Sequence, residues 1–398
     1  MVMKGSYTCI FGGGAVRGLA YVGAIKAMKE LNINVKTYAG SSVGALVAAL
    51  LAVGYNADEL KDLLMQVNFE LFKDIKFGIN TEFAISKGNV YTDWVREAIE
   101  KKFYGNDYKK GENKPVTFGM LSKNLVIITT DLNKFCCVEF SNFETPEFEI
   151  ANAIRISCSM PGLMPPVEMD DNRLVDGDLL KGIPLWRLSK NINAPDSRVL
   201  EFRLEGDTVE KESNPLDFIN SIYSCMTSAS TDFIMDVFGE NDKFDYVKIN
   251  TGDTVVINFN MPDEARKELI DRGYNDSMKY LTEDCVSKKI RIVNFYDVMI
   301  TYVEKLIRAL KYNNIKESTD ILKDLFLFMS DAYKFIDSDV FESLWTLKND
   351  ILSAPKKYSW LRGKKFEDRT KYVDTADIIK KVIQAKRDEL VEYINTVR

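Results

Sequence analysis

The chain has no histidine among its 398 residues. That absence excludes a Ser-His-Asp triad and any zinc site built on imidazole, so a hydroxyl nucleophile here must find another base. Cysteine is sparse as well: Cys9, Cys136, Cys137, Cys158, Cys225 and Cys285 contain no C-x-x-C pair. The spacing argues for reduced, mostly buried thiols, with neither a disulfide framework nor a metal site. Long apolar runs are also missing. The longest, residues 43–53, is too short to span a bilayer, and residues 1–10 lack the apolar core and cleavage site of a secretory signal. A cytoplasmic chain, peripheral at membranes, is the expectation. Neither charge sign dominates: 53 Lys and Arg stand against 59 Asp and Glu. Such a mildly acidic balance excludes general nucleic-acid binding.

What is present reads as a globular α/β chain. A β-favouring run at 7–11 ends in Gly12-Gly13-Gly14-Ala15-Val16-Arg17-Gly18, and an amphipathic helix follows over 19–31. A second run from Val35 leads into Gly40-Ser41-Ser42-Val43-Gly44 and then an Ala/Leu/Val-rich helix. This β-loop-α-β-loop-α order opens a largely parallel sheet flanked by helices. Further strands are expected at 125–130, with 136–140 as hairpin partner, and at 199–204 and 255–259, while residues 173–175 run into a turn signature at Asp176-Gly177-Asp178. Helices are expected at 57–72, 92–103 (capped by Thr92 or Asp93), 150–158, 216–238 and 262–281. Beyond residue 290 long amphipathic helices dominate, at 295–312, 315–336, 340–352 and 375–397. The expected division is a catalytic domain over 1–288 and an all-α region of unknown role over 289–398.

Three features carry chemistry. Gly12, Gly13 and Gly14 let backbone approach a ligand closely, and successive N–H groups at a strand-to-helix turn suit an anion. Ser42 sits in G-x-S-x-G between strand and helix, the setting that lifts a nucleophile clear of the backbone; a serine that merely caps the helix is the alternative. Asp176, followed by Gly177, is the candidate base, and a carboxylate in that role needs direct contact and a partly desolvated setting. The glycine amides would hold the oxyanion.

In this order, Gly-Gly-Gly-x-x-Arg-Gly at 12–18, Gly-x-Ser-x-Gly at 40–44 and Asp-Gly at 176–177 resemble the patatin-like phospholipases. Ser157-Cys158-Ser159-Met160-Pro161-Gly162-Leu163-Met164-Pro165-Pro166-Val167 is similar to the Pro-rich segment before that family's aspartate. The stretch 262–281 resembles its closing helix. The resemblance covers roughly residues 5–285 and implies a three-layer α/β/α fold and a serine lipid acyl hydrolase. It places the nucleophile at Ser42, the base at Asp176 and the oxyanion hole at Gly12, Gly13 and Gly14. No metal or other cofactor is implied. The implied substrate is a phospholipid or lysophospholipid at a membrane surface. The other reading is an inactive module of the same fold that binds lipid or protein, with the helical tail as its working part; what protein those helices would meet is unknown.

One residue departs from the family pattern. Asp178 stands where Gly or Ala is usual, and a solvated turn residue is expected there, with Asp178→Gly retaining activity. An inward Asp178 would instead raise the pKa of Asp176. Arg17 is a candidate contact for a lipid phosphate, with a structural ion pair as the alternative. The spacing Gly12-x-Gly14-x-x-x-Gly18 also resembles a dinucleotide fingerprint, but the second strand ends in Tyr38-Ala39-Gly40 with no acid for a ribose. The aromatic stretch 69–85 reads equally as a lid or as core. Lys356 to Lys365 mixes cations with Tyr358 and Trp360, which suits an anionic membrane surface or a solvated loop between helices.

Overall fold

Strand β1 (Ser6–Phe11) is buried along its whole length, as a strand covered on both faces must be. It lies between β2 (Val35–Ser41) and β7 (Ser197–Glu205), parallel to both. The computed structural model describes residues 6–67, 86–180, 197–206, 239–254, 260–331, 335–359 and 363–397, with isolated positions between 221 and 235. The expected strand at 255–259, most of the helix at 216–238 and the aromatic stretch 69–85 therefore lie outside the described residues.

Strand β3 (Asn124–Asp131) runs parallel to β2, and β8 (Phe244–Asn250) runs parallel to β7. Three antiparallel strands complete the sheet: β4 (Cys136–Ser141) and β6 (Asn172–Val175) on β3, and β5 (Val167–Met169) on β6. The order is β5-β6-β3-β2-β1-β7-β8, with β4 also on β3. Helices α1 (Ala20–Glu30), α2 (Val43–Val53), α3 (Ala57–Gln66), α4 (Asn89–Tyr104), α5 (Ile150–Ser157) and α6 (Asp263–Lys279) flank it. This is the expected three-layer α/β/α arrangement. The chain leaves β1 for β2 on one side and reaches β7 on the other, and such a reversal opens a crevice beyond the carboxyl ends of the strands. The glycine turn after Phe11 lies at that end.

Register on β3 has a further consequence. Val126, Ile127 and Ile128 pair with β4 on one edge and with Ala39, Gly40 and Ser41 on the other. Thr130 and Asp131 pair with β4 on the first edge, so Val175 and Leu174 occupy the same edge as β2. Strands β2 and β6 thus approach each other head to head along one edge of β3. Only the level of Thr129 separates Ser41, opposite Ile128, from Val175, opposite Thr130. Two residues of strand rise is about 7 Å.

The chain forms two compact units, one of Met1–Met235 and Lys243–Leu281, the other of Asp236–Asp242 and Thr282–Arg398. In the first, α1 and α6 cross at a pair of glycines: a Cβ on Gly23 would lie 1.9 Å from the Ile270 carbonyl oxygen, and one on Gly273 would lie 1.9 Å from that of Ala20. The second unit holds α7 (Cys285–Lys311), α8 (Ile315–Asp331), α9 (Ser338–Ser353) and α10 (Thr370–Val397). Helix α7 starts ten residues before the expected 295, because Lys288 and Lys289 are buried and break the polar face that periodicity looks for. The Lys289 ammonium lies 4.6 Å from the Tyr393 ring centroid and donates to the Asp242 carbonyl oxygen at 3.3 Å. The unit is not purely helical. Lys356–Ser359 (β9) and Gly363–Phe366 (β10) form an antiparallel hairpin where a loop was the alternative to a membrane patch.

Candidate active site

Ser42 occupies the turn between β2 and α2 with φ 53° and ψ −130°, a left-handed conformation rare for a residue bearing a Cβ. Close approach on both sides forces the turn. A Cβ on Gly40 would lie 2.2 Å from the Gly44 carbonyl oxygen, and one on Gly44 would lie 1.9 Å from that of Phe11. Holding such a conformation costs about 1–3 kcal/mol, so its surroundings must over-determine it. They do so through Ser157. The Ser42 backbone N–H donates to Ser157 Oγ at 2.9 Å, and that hydroxyl donates to the Ile128 carbonyl oxygen at 2.6 Å. Ser42 itself is half-buried, and its side chain makes no capping bond to α2. The alternative of a simple helix cap is not what this serine does.

Asp176 follows the last residue of β6 and is almost fully buried. Its turn is tied to the segment that braces Ser42: the Asp176 N–H donates to the Ser159 carbonyl oxygen at 3.0 Å, and the Gly177 N–H to that of Ser157 at 3.2 Å. Asp176 Oδ1 accepts from the Asp178 N–H at 2.8 Å. The turns that carry Ser42 and Asp176 are therefore linked twice over. They end two strands that meet at the level of Thr129, and both turns bond to Ser157. The sequence offers Ser157 only as the first residue of the Pro-rich segment and gives it no role; a buried serine at the end of α5 has no signal of its own.

Of the three glycines, Gly12 donates its N–H to the Phe202 carbonyl oxygen at 3.1 Å, continuing the β1–β7 ladder. Gly13 and Gly14 have no backbone donation of this kind among the described residues. Gly14 adopts φ 151° and opens the turn. An anion at this turn would thus meet the amides of Gly13 and Gly14.

Asp178 is not the solvated turn residue expected from the sequence. It is only 5% exposed. Its Oδ1 accepts from Ser41 Oγ at 2.9 Å and from Arg203 Nη1 at 2.8 Å. Arg203, on β7, also donates through Nε to Glu201 at 2.5 Å. The expectation failed because the counter-charge comes from a strand that no local pattern links to the Asp-Gly turn. Burial alone would lower the Arg203 pKa, but Glu201 and Asp178 reverse this and hold the guanidinium well above its ordinary value.

Arg17 lies with Nη1 against Gly206 at the end of β7; a Cβ there would lie 2.5 Å from it. Tyr91 Oη and Cys158 Sγ, both within reach of the charge of Asp176, are 3.3 Å apart. Burial pushes the Cys158 thiol up to about 12, and the charge of Asp176 adds to the rise against the Tyr91 hydrogen bond and Arg155. Burial raises the Tyr91 hydroxyl pKa well above its usual value, followed by Cys158, with Asp176 again contributing. Among the described residues no group of three or more Cys, Asp or Glu is placed to hold a metal ion, and no helix is long and apolar enough to cross a membrane.

Comparison with known proteins adds an independent line. Residues 9–188 match a family described as patatin-like phospholipase. YqhO of Bacillus subtilis, an uncharacterized protein, is 24% identical over 69% of this chain and 97% of its own length. An uncharacterized protein of Acanthamoeba polyphaga mimivirus is 34% identical over 44% of this chain and 58% of its own. A probable lipid hydrolase of Invertebrate iridescent virus 6 is 22% identical over 45% and 61%. The chain thus spans about three-fifths of each of these two viral proteins. Among solved structures, VipD from Legionella pneumophila superposes with a TM-score of 0.51 at 16% identity, over 95% of this chain and 88% of that one. That likeness concerns the fold.

Proposed function

Because residues 9–188 of this chain belong to the patatin-like phospholipase family, we propose that it hydrolyses fatty acyl esters of phospholipids or lysophospholipids through Ser42 and Asp176. Ser42 Oγ attacks the ester carbonyl while the Asp176 carboxylate takes its proton. The amides of Gly13 and Gly14 carry the tetrahedral oxyanion, usually the largest electrostatic contribution to such a step. Collapse of the intermediate passes the proton to the departing lysolipid alcohol and leaves an acyl ester on Ser42. Water, deprotonated by Asp176, then releases the fatty acid and restores the serine. The scheme balances without a cofactor.

The observation that carries this reading is the meeting of β2 and β6 on one edge of β3, with Ser157 bonded to both turns. A solvent-facing serine on a helix cap would need neither. For the substrate surface, Lys356 and Lys357 on β9 are exposed cations suited to anionic headgroups. The test is labelling with a fluorophosphonate probe together with product analysis from mixed phospholipid vesicles. Wild type should label and release fatty acid; Ser42→Ala and Asp176→Asn should do neither. Ser42→Ala with full turnover would refute the assignment. A folded wild type that neither labels nor hydrolyses would favour the inactive, lipid- or protein-binding module.

A further inference from the structure

We propose that Asp178 is a positioning residue that holds the glycine turn, the strand of the nucleophile and the turn of the base in one arrangement. The inference rests on the acyl-hydrolase reading above. The residue reaches all three parts, the glycine turn and Ser41 through its carboxylate and Asp176 through its backbone N–H. Its own N–H bonds Asp176 Oδ1, and its Oδ1 accepts from Ser41 Oγ, the residue before Ser42. Its Oδ2 lies 2.8 Å from where a Cβ on Gly13 would be. Arg203 completes the support, with Nη1 bonded to Asp178 and lying 2.4 Å from the corresponding Cβ position on Gly12. The ion pair therefore fills the space that side chains at positions 12 and 13 would take, flat against the turn that presents the Gly13 and Gly14 amides.

A charge this deeply buried is costly unless paired and hydrogen-bonded. A turn after Asp-Gly needs no carboxylate for its own sake. What a carboxylate adds here is simultaneous bonding to Ser41 and Arg203, and so a fixed distance between the oxyanion donors and the nucleophile. Oxyanion donors act by being in place before charge develops, and a misplacement of 1 Å costs on the order of 100-fold in rate.

The experiment compares hydrolysis of p-nitrophenyl butyrate by wild type, Ser42→Ala, Asp178→Ala, Asp178→Asn and Ser41→Ala, with thermal unfolding of each. Asp178→Ala should lower kcat on the order of 100-fold while KM stays within about threefold. Asp178→Asn keeps an oxygen for Ser41 and Arg203 and should recover about tenfold of that loss. Ser41→Ala removes one bond and no charge; it should lower kcat several-fold, and it carries the test if the Asp178→Ala protein does not fold. Wild-type kcat in folded Asp178→Ala or Ser41→Ala, or a loss that vanishes once rates are corrected for folded fraction, overturns the positioning role alone. Absence of Ser42-dependent turnover in the wild type removes the hydrolase reading, and this inference with it.

Discussion

Replacing Ser157 with alanine removes one oxygen that serves two backbone groups, the Ser42 N–H at 2.9 Å and the Ile128 carbonyl at 2.6 Å. Ser157 is fully buried, so no bulk water takes its place. Leaving a buried donor without its acceptor costs about 1–3 kcal/mol, and the variant should lose that much stability in urea unfolding. The effect on rate has a separate origin. Ser42 is held at φ 53°, which stores about 1–3 kcal/mol of backbone strain. Without Ser157 the turn relaxes, and the strain must be restored each time the hydroxyl attacks. At 1.36 kcal/mol per factor of ten, kcat falls roughly 5- to 150-fold. Because the hydroxyl's own contacts with a bound ester are unchanged, KM should move little. Steady-state hydrolysis of p-nitrophenyl butyrate, corrected for folded fraction, reads the difference. A kcat within twofold of wild type in the folded variant would show that the glycines alone hold the turn.

Two further outcomes follow from charge and burial. With its thiol pushed up to about 12 by burial and then by Asp176, Cys158 stays protonated at pH 8, so iodoacetamide should alkylate the exposed Cys225 well before it; peptide mapping that finds Cys158 modified first would contradict the raised thiol pKa. Glu59, which closes the capping box of α3 with Asn56, is held below its ordinary pKa by the hydrogen bond from Lys102 and then by the Asn56 N–H. A depressed folded pKa stabilises above the unfolded value of about 4.3 and loses that stabilisation as pH falls through the folded one. Both groups are partly solvated, so the Glu59 pairing should contribute no more than about 0.5 kcal/mol to the cost of Lys102→Ala at pH 7, and that contribution should vanish by pH 2, leaving only the loss of the Lys102 contact with the Tyr55 ring, as read by urea unfolding.

How much of this was legible in the sequence depends on whether the cause was local. The turns at Gly12, Ser42 and Asp176 announce themselves because glycine is needed where backbone meets backbone, as at Gly44 against Phe11. Strands β1 to β4 and β7 follow from short β-favouring runs. Strand β8 escaped notice because Asp245 and Lys248 interrupt the apolar run of Phe244, Tyr246, Val247 and Ile249. Helix α4 begins at Asn89 on a Gly88 cap with φ 77°, ahead of the polar residues expected to cap it; Thr92 Oγ1 instead bonds back to the Gly88 carbonyl at 2.8 Å. The inward turn of Asp178 and the brace at Ser157 were invisible for a different reason. Each depends on a partner far along the chain, Arg203 in one case and Ser42 in the other, and no spacing rule connects them.

The gap on the edge of β3 is one residue wide, and it works as a gauge. Two chains arriving from opposite directions are stopped there by their own hydrogen-bond ladders, so the length of each ladder fixes how far its last side chain extends into the gap. One residue more or fewer on either strand would change the separation of the two turns by about 3.3 Å. Strand length, ordinarily credited to packing, here sets how far apart the turns of Ser42 and Asp176 stand, and so the reach of the proton transfer proposed for them.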